Sequence, residues 1–566
     1  MIFDTWSSGT TRGNYDEDSN RRLWDSWDCT GVQNPVTVGT IFHDARADGW
    51  TPPPLLLPVV AVSTPEGSAD VPPADVTVLR SALWELSQLD VSAAEHHRAA
   101  GDAVSDWLSA RGRFFHHADL RDFPSCMYFD SEKKYLHRVQ SDEFLSWLSD
   151  SMRVNRTEPI FRFAASAVEN AALTGPHATP IIPAEYWQAT SAGVYLSCGP
   201  GRMCRITAHD ISMVDNGTDG VVFSAGAVLS PWTLTSPADP FDACRLFRDA
   251  AYVSDHGLML LKLWACTMLT HQRTKPPLCI SGTVGSGKTR LAVGLFELLG
   301  FPPRVSAITK NGESDFWAQV ACGGLVTFDN ADTRNDWLAD SLAAAATDGG
   351  HEKRRLYTDA ERVYLRARSW VIITSANPTF AADGGLADRL LVVRLDRLKK
   401  ETAESSLSDE IAAARNAGLS WMAVMIHRAL ADTSGVPSAI NRRHPDHAQM
   451  AFRIGRAMGL EREAIAALQA AEADKSSFNL ENDPLGSVLL ELTEQSAVGL
   501  HGTASELAQE IINFDPYWDG KLPAKSFGKR VAKLWPHLEQ SLHATMTQDS
   551  RARTKTYSFN VMRTES

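Results

Sequence analysis

Hydrophobic positions along the chain fall into distinct regimes. Between 79 and 271, short apolar runs such as GVYLSC (193–198) and GVVFSAG (220–226) sit among amphipathic stretches such as SDEFLSWLSDSM (141–152). That mixture predicts an α+β domain, closing in an apolar helix over 244–269. From 276 to 395 the pattern becomes five continuous apolar runs, PPLCIS, RVSAIT, LVTFD, WVIITS and LLVVRL, with helical material between most of them. Runs of this kind are buried on both faces, so they predict a parallel sheet in an α/β domain. Over 405–475 the spacing is helical, and the polar string DKSSFNLENDPLG then reads as a hinge before the last segment.

Seven prolines between 51 and 79 predict an extended linker and set off the first fifty residues, with Trp6, Trp24, Trp27 and Trp50, as a separate module. The expected divisions are 1–50, the linker 51–79, an α+β domain at 80–271, the α/β domain at 272–400, a helical region at 401–475 and a C-terminal domain at 487–566. The total of 566 residues suits several cores rather than one. The apolar stretch at 257–269 contains Lys262 and falls short of the roughly 20 residues a membrane span needs. With no signal-peptide pattern at the N-terminus, a cytoplasmic protein without membrane association is expected. Cys244, Cys266 and Cys279 lie in apolar segments and read as buried thiols, and the Cys198/Cys204 spacing does not suit zinc, so no structural metal is expected.

The strongest chemical signal is Gly282-Thr283-Val284-Gly285-Ser286-Gly287-Lys288-Thr289, a full G-x-x-x-x-G-K-[ST] match with a strand-like run before it and an amphipathic helix after it. Glycines let the backbone close in so that N–H groups face phosphate oxygens, and the helix N-terminus adds a favourable dipole. Lys288 is expected to reach the β and γ phosphates of ATP, and Thr289 to supply a hydroxyl to Mg²⁺. Asp329, closing LVTFD, is the expected metal-side carboxylate. The next residue, Asn330, cannot accept a proton, so Asp332 is the nearest substitute base; weak or substrate-gated hydrolysis is the alternative consequence. Asn377, after WVIITS, places an amide at a strand end, and Arg389 precedes LLVVRL.

This order of glycine-rich loop, LVTFDN, basic stretch, ITSANP and ADR resembles the superfamily 3 helicases of the AAA+ group over about 275–397. The resemblance implies a hexamer around DNA, with Asn377 as sensor, Arg389 acting on a neighbouring subunit's nucleotide, and Lys353 and Arg354 on a pore hairpin. The N-terminal fifty residues look like the end of the helical domain that follows the catalytic part of mobile-element primase-polymerases. With no paired-carboxylate signature upstream, no primer synthesis is expected, and a separate primase is a possible partner. The middle segment is similar to the domain preceding the ATPase in phage and poxvirus-type primase-helicases.

Net charge first argues against nucleic acid, at −13. Its distribution argues otherwise, because cations cluster at 353–368 and because 521–566 holds nine Lys or Arg against three Asp or Glu. TASELAQEI, LPAKSFGKRVAKLWPHLEQSL and the basic end form a winged-helix-like pattern, with Lys525, Lys529, Arg530 and Lys533 sharing a helical face and Arg551, Arg553 and Lys555 in the wing. The expected fold is a multi-domain α/β chain built around a P-loop AAA+ domain. Its expected function is ATP-driven DNA unwinding in phage or mobile-element replication. The rival reading is a DNA-binding ATPase switch, an initiator, loader or defence sensor that does not unwind.

Overall fold

The computed structural model describes residues 75–560, apart from 119–124, 177, 200, 225–228, 334, 355–361, 401, 439, 441–442 and 549–554. The N-terminal module and nearly all of the linker thus lie outside the described residues. Where description begins, Asp75 caps helix Val76–Ser87 by accepting from the Thr77 N–H. The expected linker therefore stops short of 79, because Leu79 packs against Val104 and Trp107.

Strands β1 (Gly112–His117), β2 (Cys126–Asp130), β3 (Tyr135–Arg138) and β4 (Thr179–Ile181) form a sheet in the order β3-β2-β1-β4. Helices Ala93–Arg111 and Pro159–Thr174 bury Val104, Leu108, Phe161 and Val168 against it. A second, antiparallel sheet follows: β5 (Trp187–Ala189), β6 (Val194–Ser197), β7 (Arg202–Ile206) and β8 (Ile211–Asp215). Of the strand expected over 220–226, the described residues 220–224 form none. The Asn216 amide captures both the N–H and the carbonyl of Phe223 (2.8 and 3.0 Å), leaving isolated bridges from Phe223 to Ala184 and from Ser224 to Leu136.

The single apolar helix expected over 244–269 is also broken. Helices Pro240–Ala243 and Arg245–Arg248 are followed by an extended segment and then by Gly257–Met268. In between, Val253 N–H donates to the Arg394 carbonyl (3.0 Å) and Asp396 N–H to the Ala251 carbonyl (2.7 Å), so this segment covers the edge of the next sheet. Helix Gly257–Met268 packs with that sheet as well, not as the closing element of the preceding domain.

That sheet consists of β9 (Leu278–Gly282), β10 (Val305–Ala307), β11 (Leu325–Asp329), β14 (Trp370–Ser375) and β15 (Leu391–Leu395), all parallel, in the order β10-β11-β14-β9-β15. Between β11 and β14, strands β12 (Gly350–Arg354) and β13 (Arg362–Arg366) pair as an antiparallel hairpin. Both faces of the inner strands β9, β11 and β14 are covered, which is why they read as continuous apolar runs, whereas the edge strand β10 stays largely exposed, against the expectation of burial for all five. Leu278, Ile280, Ile372 and Val393 face helices Gly257–Met268, Lys288–Leu299 and Glu404–Ala431. Cys279, Val326, Phe328 and Ile373 face helices Glu313–Val320 and Leu338–Ala346.

Helices Pro445–Ala457 and Glu461–Asn482 complete this region. The polar string expected to be a hinge over 474–486 is mostly helical: Glu461–Asn482 runs through it, and only Asp483 separates it from helix Pro484–Gln495. Lys475, Ser476, Phe478, Asn479 and Leu480 are buried there. The C-terminal unit adds β16 (Leu500–Thr503), helices Ala504–Phe514 and Ala524–Leu542, β17 (Thr545–Gln548) and β18 (Lys555–Phe559), its sheet ordered β16-β18-β17 around Leu507, Phe527, Val531 and Phe559. Among the described residues no helix is long and apolar enough to cross a membrane.

Candidate functional site

Parallel α/β sheets present ligand crevices at the carboxyl ends of their strands. Here β9, β11 and β14 all end at one edge, and most of the residues singled out from sequence gather there. The chain leaves β9 through the glycine-rich loop and enters helix Lys288–Leu299. Gly285 and Gly287 both have φ of 81°, a left-handed conformation that side chains resist, and Gly287 is the residue at the helix start. Gly282 is required for another reason: a Cβ there would lie 2.2 Å from the Leu395 carbonyl. Gly300, φ 85°, ends the helix, its N–H bonding back to Phe296 and Glu297.

Lys288 is buried, and its ammonium donates to the carbonyls of Gly282 (2.7 Å) and Thr283 (3.0 Å). Burial pulls its pKa below the usual lysine value, with Asp332 and Asp329 opposing. Ser286 is only 1% exposed, and its Oγ is buried with no hydrogen-bond partner among the described residues. Val284, by contrast, stands exposed at the loop tip.

Asp329 is held from several sides. Thr289 Oγ1 donates to its Oδ1 at 2.6 Å, Thr374 Oγ1 donates to the same oxygen, and Asn330 Nδ2 donates to Oδ2 at 3.2 Å. Thr374 in turn accepts from the Asn330 N–H (3.1 Å), which fixes Asn330 at a φ of 54°. Asp332 is anchored differently. Its Oδ1 accepts from Ser375 Oγ (2.7 Å) and from the N–H groups of Ala376 (2.6 Å) and Asn377 (3.0 Å). Desolvation works against its ionisation, but these hydrogen bonds and the Lys288 charge outweigh it, so the carboxyl sits below the usual range. A carboxylate so stabilised is a weak proton acceptor; what its contacts do is set the strand end that carries Asn377, whose side chain is exposed.

Sequence reasoning passed over Thr374, whose signal is a polar residue inside an apolar strand. It also missed the segment after β15, where Leu398 N–H donates to the Gly285 carbonyl (3.3 Å) and a Cβ on Gly285 would meet Arg397 Nε at 3.7 Å. Arg397 is exposed beside the loop, and no local motif marks it.

Arg389 is not brought to this cluster. It lies two residues before β15, whose Leu391 pairs with Leu278 at the opposite edge of the sheet from Gly282. Four residue steps separate the two edges, roughly 13 Å at ~3.3 Å per residue. Its guanidinium donates to the Gly385 carbonyl, and its Nε is buried with no partner.

The basic stretch is less free than its composition suggests. Lys353 and Arg354 end β12, and Arg355 lies outside the described residues. Arg362 pairs with Glu352 (2.7 Å), Arg366 with Asp348, and Arg368 reaches His117 (3.2 Å). At the C-terminus, Lys525, Lys529, Arg530 and Lys533 are exposed on helix Ala524–Leu542, with Arg530 stacked over Trp518 at 4.9 Å. Lys555 is exposed on β18, and Arg551 and Arg553 lie outside the described residues.

Taken together, the carboxyl edge offers a close-packed glycine loop at a helix N-terminus, one buried ammonium, an unpartnered hydroxyl and a hydroxyl–carboxylate pair. Such a set can hold a polyphosphate with a divalent cation. No curated protein matches the chain. Among solved structures, the A-form apo structure of the NrS-1 C-terminal region is 11% identical with a TM-score of 0.34, covering 81% of this chain and 99% of that one. A second apo structure of the same region (305–718) is 10% identical with a TM-score of 0.34, covering 81% and 98%. Residues 245–477, which hold the five-stranded sheet and the helices behind it, match the family described as actinomycete integrative conjugative element replication protein, and that similarity supports a replication role on a mobile element.

Proposed function

We propose that the chain is an ATP-dependent DNA helicase of the AAA+, superfamily 3-like type, acting as a hexamer in mobile-element replication. The observation that carries this reading is the Thr289–Asp329 pair, 2.6 Å apart, at the mouth of a glycine loop whose conformation only glycine tolerates. Lys288 would bind the β and γ phosphates, releasing the loop carbonyls it now contacts, and Ser286 Oγ would find its partner there. Thr289 and Asp329 would hold Mg²⁺, which supplies charge neutralisation on the transferred phosphoryl oxygens. Asp332 holds the Ser375–Asn377 strand end, from which the Asn377 amide would face the same crevice. Arg389, on the far edge, would serve the next subunit, while Lys353, Arg354, Lys525, Lys529 and Arg530 would contact phosphates of DNA. The C-terminal unit would act as a winged helix.

The test uses the full chain. Mg-ATP turnover stimulated by single-stranded DNA, with ATP-dependent separation of a forked duplex, is the expected result. The Asn330 amide, bonded to Asp329 where many ring ATPases carry a glutamate, favours a second reading, a DNA-binding ATPase switch. DNA-stimulated turnover without strand separation would select the switch.

A further inference from the structure

Residues 377–389 cross from one edge of the sheet to the other and link Asn377 to Arg389. Their main-chain polar groups must be satisfied, and helix Glu461–Asn482 does so from the segment whose polarity suggested a hinge. Asn479 Nδ2 donates to the Ala381 carbonyl at 2.7 Å, and Lys475 Nζ donates to the Asp388 carbonyl, one residue before Arg389, at 2.7 Å. Beyond this stretch, Arg394 of β15 pairs with Asp474 (2.9 Å) and Glu481 (2.5 Å) of the same helix, its guanidinium lying over Phe478. Asn479 is 0% exposed and Lys475 3%. Burying a lysine ammonium is unfavourable unless its partners are in place; here the Glu472 carboxylate, one turn back on the same helix at 2.9 Å, balances the charge, and the ammonium so fixed holds the carbonyl at 388.

The C-terminal unit braces this arrangement from behind. Ser476 Oγ bonds Gln540 Oε1 (2.7 Å) and His537 Nδ1 (3.2 Å), and Ser477 meets Ser541 (3.3 Å). His537 also lies on the arginine-bearing segment itself, since a Cβ on Gly384 would be 2.7 Å from its Nε2.

We propose that Lys475 and Asn479 are positioning residues for Arg389, and that the C-terminal unit, through His537 and Gln540, locks the helix that carries them. This rests on the reading in which Arg389 completes a neighbouring subunit's site. A variant in this clamp keeps its own phosphate loop intact but delivers a misplaced arginine.

Subunit mixing tests this in the full-length protein. Lys475→Met and Asn479→Leu are each expected to keep nucleotide affinity, read with a fluorescent ATP analogue, while turnover falls about a hundredfold, the scale of a misplaced catalytic group. Mixing either with Lys288→Ala, which lacks a working loop but carries an intact Arg389 segment, should restore turnover. Random assembly of a head-to-tail ring pairs the two working halves at about a quarter of interfaces. The Arg389→Ala and Lys288→Ala mixture is the reference. Failure of the reference to recover rejects the shared-site reading, whatever the clamp variants do. Recovery of the reference without recovery of the clamp mixtures overturns the proposal. So does parental turnover by both clamp variants, or loss of nucleotide binding by both, which would make the helix a support of the fold alone.

Discussion

The two edges of the parallel sheet differ in kind. At the carboxyl edge, Lys288, Thr289, Asp329 and Asp332 contact one another's segments directly, with Thr289 on Asp329 at 2.6 Å and Asp332 on the N–H of Asn377 at 3.0 Å. At the opposite edge Arg389 stands alone among the proposed catalytic groups and is held by a distant helix through Lys475. Under the proposed function, one edge would bind nucleotide within a single chain, and the other would be presented to a neighbour. The difference predicts that variants at the first edge damage binding, whereas variants at the second damage only turnover.

The largest expected effect breaks the comparison if it fails. Lys288→Ala should abolish nucleotide binding and turnover together, and Arg389→Ala should lower turnover by about 10³-fold or more while leaving binding intact. Equal loss of affinity in both, measured by titration with a fluorescent ATP analogue, would dismiss the distinction between the edges.

Next in size is Gly282→Ala, whose new methyl meets the Leu395 carbonyl at 2.2 Å, against Gly285→Ala, where the nearest atom is Arg397 Nε at 3.7 Å. The first must displace backbone. The second carries only the left-handed strain of about 1–2 kcal/mol. Thermal unfolding should therefore rank Gly282→Ala well below Gly285→Ala, and the reverse order would contradict the close approach.

Asp332→Ala removes the acceptor of the Ala376 N–H and one of two acceptors of the Asn377 N–H, which keeps Ser375 Oγ, for an expected loss of about 1–3 kcal/mol. The folded carboxyl is depressed below the ordinary 3.8, so its contribution is fully present above that value and fades as pH falls through the depressed one. Parent and variant should differ by a constant amount at neutral pH and converge in strong acid. A difference that instead changed between pH 6 and 8 would assign the titration to another group.

Arg397→Ala should have the smallest effect, a weakening of nucleotide affinity by less than about tenfold, since an exposed cation beside the loop is screened by solvent. No change in the salt dependence of affinity would remove Arg397 from the site.

Local grammar made much of the carboxyl edge legible. Gly282, Gly285, Gly287, Lys288 and Thr289 lie within one eight-residue motif, and Asp329 and Asn377 each end or follow an apolar run, so short-range pattern sufficed to nominate them. The same grammar misled over 474–486, where Lys475, Ser476 and Asn479 look like solvated hinge residues but are buried because their partners, at 388, 540 and 381, are remote in sequence. Pattern also misread 220–226, where one amide, Asn216, takes the hydrogen bonds a strand would need. It overstated the free charge near the hairpin, since Arg362 and Arg366 have acidic neighbours across and beside the strands.

By itself the sequence determined the alternation of five strands with helices and the glycine loop between the first strand and its helix, because periodicity and φ preferences act over a few residues. Only the tertiary structure decided the strand order β10-β11-β14-β9-β15, the meeting of Thr289, Thr374 and Asp329, the separation of Arg389 from them, and the conversion of a polar string into a buried clamp. The physical reason is that a polar side chain has no fixed meaning until its partner is known. Lys475 is buried between Glu472 of its own helix and a carbonyl 87 residues away, and only the first of these partners is local in the sequence.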